Sequence, residues 1–187
     1  MRIELDYGKG KLELEVPEKN LLYVLETKPV NTLKNPQKAI AESINSPIGS
    51  QPLEQLVAGK KDVCIVISDS TRAVPTKLIL EVLLAQLESY GIAKENITIL
   101  IATGLHRPNV GEELEGLVGR EIAGSYRIIN HDARDRQSCR DIGKTSKGTP
   151  VILNKVYLDA DFKILTGLVE PHFMAGFSGE KIHMSRH

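Results

Sequence analysis

Val63-Cys64-Ile65-Val66-Ile67 runs straight into Ser68-Asp69-Ser70-Thr71-Arg72-Ala73-Val74-Pro75. Five residues that are all apolar read as a strand covered on both faces, the pattern of a parallel sheet. From Pro75 to Tyr90, Ile79, Val82, Leu83 and Leu87 form one helical stripe, and Gly91 closes it. The alternation then repeats. Ile97–Ala102 reads as a strand, Glu112–Val118 as a short helix, Tyr126–Asn130 and Val151–Val156 as strands, and Phe162–Leu168 as the last of the series. Strand-helix-strand units of this length predict an α/β fold: an open, mostly parallel, Rossmann-like sheet flanked by helices on both faces.

Upstream the period changes to two. Ile3, Leu5, Leu12, Leu14 and Val16 alternate with polar residues around Gly8-Lys9-Gly10, which predicts a small N-terminal β-hairpin appendage. Asn35-Pro36 opens a helix through Ile44, Pro47-Ile48-Gly49-Ser50 breaks it, and a second short helix carries Leu53, Leu56 and Val57 before Gly59. The expected division is an appendage over residues 1–30, an α/β cofactor-binding domain over 31–179, and a tail over 180–187.

Composition narrows the function classes. Basic and acidic residues balance at 24 each, so no field is built for nucleic acid or an anionic membrane. Aromatics are 4% and Trp is absent, so the core is aliphatic. Two cysteines are too few for a disulfide framework, and Cys64, inside an apolar run, reads as a buried core thiol. Met1-Arg2-Ile3-Glu4-Leu5-Asp6 lacks a signal-peptide core, and no apolar stretch nears the ~20 residues of a membrane span. A cytoplasmic protein is the expectation.

Three polar motifs follow directly on apolar strands: Ser68–Arg72, Thr103-Gly104-Leu105-His106-Arg107-Pro108, and Glu170-Pro171-His172-Phe173. Loops at the carboxyl ends of parallel strands converge on one crevice, so the three read as one site. Ser70, Thr71 and Arg72 precede a helix whose free N–H groups suit phosphate or carboxylate, and Arg adds a bidentate fork. Helix capping by Ser70 or Thr71, with Asp69 accepting backbone bonds, explains the same residues without a ligand. Neither a Walker loop nor a GxGxxG fingerprint is present. His106 and His172 stand at different strand ends on one edge. Imidazoles on two faces of a substrate give either enantiomer a base on its own side, and the pair could equally bind a metal. His131, in the charged run Asp132-Ala133-Arg134-Asp135-Arg136, reads as surface.

Together, Ser68–Pro75, Ala102–Pro108 and His172-Phe173-Met174-Ala175-Gly176-Phe177-Ser178-Gly179 resemble the signature blocks of the nickel-dependent lactate racemase family. Asn45–Ser50 and Ile152–Val156 leading to Asp161 resemble it too. The resemblance implies the first domain of a two-domain isomerase acting on lactate or another 2-hydroxy acid. It implies a nickel pincer nucleotide that takes the hydrogen from C2, giving a pyruvate-like intermediate, and returns it to the other face. By position it makes Asp69, Ser70, Thr71 and Arg72 cofactor contacts, with Arg72 also meeting the substrate carboxylate, and His106 and His172 the bases for the hydroxyl proton. No residue of this chain is assigned to the metal.

The family continues Gly-Arg-Lys after its Gly-Phe-Ser-Gly, and that Lys carries the cofactor. In this chain Glu180-Lys181-Ile182-His183-Met184-Ser185-Arg186-His187 follows, with Lys181 one position short. Back-translation with a one-base slip spells Gly-Arg-Lys-Ser-(Ile or Thr)-Cys-Pro-Gly, so a frameshift is the expected origin of residues 180–187, with His183 and His187 accidental. An inactive fragment that does not retain cofactor, and that self-associates through an uncovered cleft face, is then expected. A non-catalytic module binding a nucleotide or phosphometabolite is the alternative reading.

Overall fold

The computed structural model describes residues 1–24, 28–172, 174 and 176–178. The chain divides into two compact units, residues 1–34 and 35–187.

In the first unit, β1 (Arg2–Tyr7) pairs antiparallel with β2 (Gly10–Glu15). Ile3 lies opposite Leu14 and Leu5 opposite Leu12, so the period-two pattern sets the register as expected.

In the second unit, α1 (Pro36–Asn45) begins where Asn35 accepts the Lys38 amide and Pro36 occupies the first turn. After it come α2 (Leu53–Val57), β3 (Val63–Ile67), α3 (Thr76–Ser89), β4 (Ile97–Ile101), α4 (Gly111–Val118), α5 (Arg120–Ser125) and β5 (Arg127–Asn130). Then follow β6 (Cys139–Lys144), β7 (Pro150–Asn154), α6 (Lys155–Asp159), β8 (Phe162–Leu165), β9 (Pro171–His172) and β10 (Gly176–Phe177). β5, β4, β3 and β8 form a parallel sheet in that order, so the last strand returns to the far side of the first. Strand order therefore reverses between β3 and β8, the place where open α/β sheets leave a crevice outside the carboxyl ends of their strands.

The sheet is covered on both faces. Ile65, Ile67, Ile99 and Ile101 pack with α3 residues Leu80, Leu83, Leu84 and Leu87, while Cys64, Val66 and Leu100 pack with Val156, Tyr157 and Ala160. Burial pushes the Cys64 thiol up to about 11, as befits an inert core group.

Three expectations need correction. The most buried stripe of α3 is Leu80, Leu83, Leu84 and Leu87, spaced i, i+3, i+4, i+7, with Ile79 and Val82 half-buried at its margin. Val151–Val156 is not a strand of the parallel sheet. Its first part belongs to β7, paired antiparallel with β6, and Asn154 then caps α6 by accepting the Val156 amide. His131 is buried, at 1% exposure.

Gly91 ends α3 as expected. At φ +89° it lets its own amide reach the Glu88 carbonyl and the Ile92 amide reach that of Leu87, with Ile92 buried beneath. Asp161, inside the family-like block, accepts the Lys61 and Asp62 amides at 3.0 and 3.3 Å. It ties β8 to β3 at the amino ends of the strands, away from the crevice.

Candidate active site

The strands of the sheet are parallel, so the loops after β3, β4 and β8 open at one edge. On the first loop Asp69 is buried, and both its oxygens are engaged. Oδ1 accepts the Thr71 amide at 3.1 Å and its hydroxyl at 2.6 Å, and Oδ2 lies 2.5 Å from Nδ1 of His106 on the second loop. Burial raises the Asp69 carboxyl, but the Thr71 hydroxyl, the His106 ring and the Thr71 amide outweigh it and hold the group below its ordinary value. An ionised Asp69 accepts only, so Nδ1 of His106 carries a proton, and in the neutral ring Nε2 is the nitrogen with the lone pair. The His106 side chain is half exposed, and that lone pair can accept a proton from a ligand.

Ser70 joins a second group. Its hydroxyl donates to Glu113 on α4 at 3.1 Å and accepts from Asn109 at 2.7 Å. Arg107 makes a bidentate pair with the same Glu113 at 2.6 and 2.8 Å. The Arg107 guanidinium, then the Asn109 amide, and to a smaller extent the Ser70 hydroxyl, hold the Glu113 carboxyl down at about 2. Arg72, four residues before α3, and Lys77, in its first turn, line an open cleft of about 740 Å³ with Ser70, Glu81 and Glu113. His172, on β9, accepts the Met174 amide at Nδ1, 3.2 Å away.

The structure thus joins Asp69, Thr71 and His106 directly, ties Ser70 to Asn109 and Glu113, sets Arg72 on the cleft and puts His172 on the strand that follows the β8 loop. Asn109 and Glu113 escape a reading by motif, because an Asn and a Glu outside the polar blocks carry no signal beyond their i, i+4 spacing. The expectations for Phe173, Ala175, Gly179, Lys181, His183 and His187 fall outside the described residues. Among the described residues no group of three or more His, Cys, Asp or Glu could hold a metal, and no helix is long and apolar enough to cross a membrane.

His131 is a buried accessory to this edge. Its amide donates to the Ile101 carbonyl, and its carbonyl accepts the Thr103 hydroxyl. The Asn154 oxygen is fixed on the Val156 amide, so its NH2 donates to Nδ1 of His131 at 3.1 Å. Nε2 then carries the ring proton, buried without a partner among the described residues. Burial lowers the His131 pKa against the smaller opposing effect of Asp132. The unfolded chain therefore takes up a proton at about pH 6.5 that the folded chain refuses, so stability falls as pH drops below about 6.5 toward the depressed folded value. Urea denaturation at pH 7 and pH 5 is expected to show this loss, at most about 1.4 kcal/mol per pH unit from one group, and His131→Gln is expected to flatten it.

An open parallel sheet with a carboxylate-oriented histidine at the carboxyl ends of its strands, beside a cleft between α3 and α4 that carries Arg72, Lys77, Glu81 and Glu113, is the arrangement of a ligand-binding α/β domain. The chain belongs to the lactate racemase family: the model of the lactate racemase N-terminal domain matches residues 7–184. It is 34% identical over 179 residues to the lactate racemase of Thermoanaerobacterium thermosaccharolyticum, and 37% identical over 179 residues to that of Lactiplantibacillus plantarum. Each alignment covers 95% of this chain and 42% of the relative, so the chain spans less than half the length of these curated relatives. The solved apoprotein of the Thermoanaerobacterium lactate racemase superposes with a TM-score of 0.82 at 33% identity, covering 96% of this chain and 42% of that one. A Thermotoga maritima protein of solved structure shares the fold, with a TM-score of 0.60 at 24% identity over 83% of this chain and 38% of that one.

Proposed function

We propose that this domain forms the cofactor-side wall of an isomerase that interconverts the enantiomers of lactate or a related 2-hydroxy acid. The observation that carries the reading is the Asp69–His106 pair at the sheet's crevice, in a domain whose curated relatives are lactate racemases.

A nickel pincer nucleotide, when bound, supplies the hydride-accepting ring. Arg72 before the start of α3 suits its phosphate, since the helix terminus and the guanidinium carry positive charge, while Lys77 on the same cleft lies 3.9 Å from Glu81. Asp69, Ser70 and Thr71 already spend their side chains on one another's loops, so they frame this wall and would meet the cofactor chiefly through the backbone. Arg72 is also the group for the substrate carboxylate.

His106 takes the hydroxyl proton of one enantiomer on Nε2. As the O–H bond breaks, its electron pair closes the C=O bond, and hydrogen leaves C2 with the C–H pair. His172 is the counterpart for the other enantiomer, taking the proton at Nδ1, the nitrogen that accepts the Met174 amide here.

The test is chiral analysis of L-lactate incubated with a two-domain protein that joins this domain to the remaining length of the Lactiplantibacillus plantarum lactate racemase, with its cofactor loaded. Approach to an equal mixture of enantiomers is expected. Failure to racemise lactate or any other 2-hydroxy acid, with cofactor bound, sinks the reading.

A further inference from the structure

Asn109 is buried to 2% exposure, and every polar group it owns is used. Its side-chain oxygen accepts the Ser70 amide at 3.3 Å. Its NH2 donates to the Ser70 hydroxyl at 2.7 Å and to Glu113 at 2.9 Å. Its backbone amide and carbonyl pair with the Asn130 side chain at the end of β5, at 2.8 and 3.0 Å. Neither amide can be turned over. A flipped Asn109 would set NH2 against an N–H and oxygen against a carboxylate, and a flipped Asn130 would oppose N–H to NH2 and C=O to C=O.

This residue lies three positions after His106, and its partner Ser70 lies one after Asp69. The clasp therefore holds together the two loops whose other contact is the 2.5 Å approach of Asp69 to His106. That approach draws on such support, because the His106 ring is half exposed even though Asp69 is buried, so solvent screens part of the attraction and the loops lose entropy in staying together. From this geometry we infer that Asn109 is a positioning residue for His106. It clamps the Ser68–Arg72 loop on the His106 loop and so keeps His106 in the tautomer with its proton on Nδ1. The consequence for catalysis rests on the racemase reading, but the tautomer does not.

His131 supplies an internal control. Asn154 holds it in the opposite tautomer, with the proton on Nε2, through contacts that Asn109 does not share. Nitrogen-15 NMR of the imidazoles in the 187-residue chain, without cofactor or substrate, reads both rings at once. The unaltered chain is expected to show His106 as a single Nδ1–H form and His131 as a single Nε2–H form. Asn109→Ala is expected to turn His106 into a mixture of the two forms and to leave His131 unmoved. Ser70→Ala removes the hydroxyl that Asn109 and Glu113 both hold, at little risk to the fold, and is also expected to give a mixture of His106 forms. The inference is overturned if Asn109→Ala keeps His106 in a single form, or if both rings become mixed, which would make Asn109 a general support of the fold. Where Asn109→Ala does not fold, Ser70→Ala decides: a single His106 form in that variant overturns the inference. Racemisation by the two-domain protein is decided separately, so failure of either reading leaves the other standing.

Discussion

His106→Ala in the cofactor-loaded two-domain protein is expected to lower racemisation of L-lactate about 10²–10⁴-fold, the usual contribution of a positioned general base. Asp69→Asn is the sharper variant. In the present arrangement Oδ1 of residue 69 must accept both the amide and the hydroxyl of Thr71, so an Asn there is compelled to turn its NH2 toward His106. The ring then accepts at Nδ1 and carries its proton on Nε2, the wrong form for a base. Losing the orienting carboxylate of a catalytic histidine in this way costs a factor on the order of 10⁴ in hydrolases that rely on one. Asp69→Asn should therefore cost at least as much as a general base is worth, with the fold intact by circular dichroism. An Asp69→Asn variant as fast as the parent would remove the orienting role.

Ile99→Ala is expected to destabilise the domain by about 2–5 kcal/mol. Ile99 lies in the middle of β4, between β3 and β5, and is fully buried on the face covered by α3. Truncation removes aliphatic contacts with two neighbouring strands and a helix, none of which can close the gap without breaking ladder hydrogen bonds. For a domain of this size each kcal/mol corresponds to about 2–4 °C, so the melting temperature should fall by roughly 4–20 °C. Leu12→Ala, on the hairpin and half exposed, should change stability by less than about 0.5 kcal/mol. Equal effects of the two substitutions in calorimetry would contradict the placement of the core.

Most of this architecture can be read from the chain because its signals are local. Val63–Ile67 and Ile97–Ile101 are apolar at every position but Thr98 since both faces of their sheet are covered, and the Asn35-Pro36 start of α1 uses capping chemistry that needs no tertiary partner. β6 escapes a reading by period because only Cys139 of its six residues is buried; the rest face water and keep no alternation. His131 misleads for the opposite reason. Its charged neighbours suggest a surface, yet the end of β5 turns its ring inward to Asn154. At the site, the strand-end motifs disclose which loops matter. They do not disclose that Asp69 spends its carboxylate on Thr71 and His106, nor that Asn109 and Glu113 tie two of those loops together. The pairings that cross between the loops join residues 37 to 43 positions apart, and no spacing rule reaches that far.

The most direct test of the chemistry follows the hydrogen on C2. L-lactate deuterated at C2 is incubated in ordinary water with the cofactor-loaded two-domain protein, and the D-lactate formed is analysed by mass spectrometry. If the histidines handle only the hydroxyl proton and the C2 hydrogen travels as hydride, the D-lactate keeps its deuterium. Product carrying solvent hydrogen at C2 would mean that a side chain removes that hydrogen as a proton, contradicting His106 and His172 as bases for the hydroxyl proton alone.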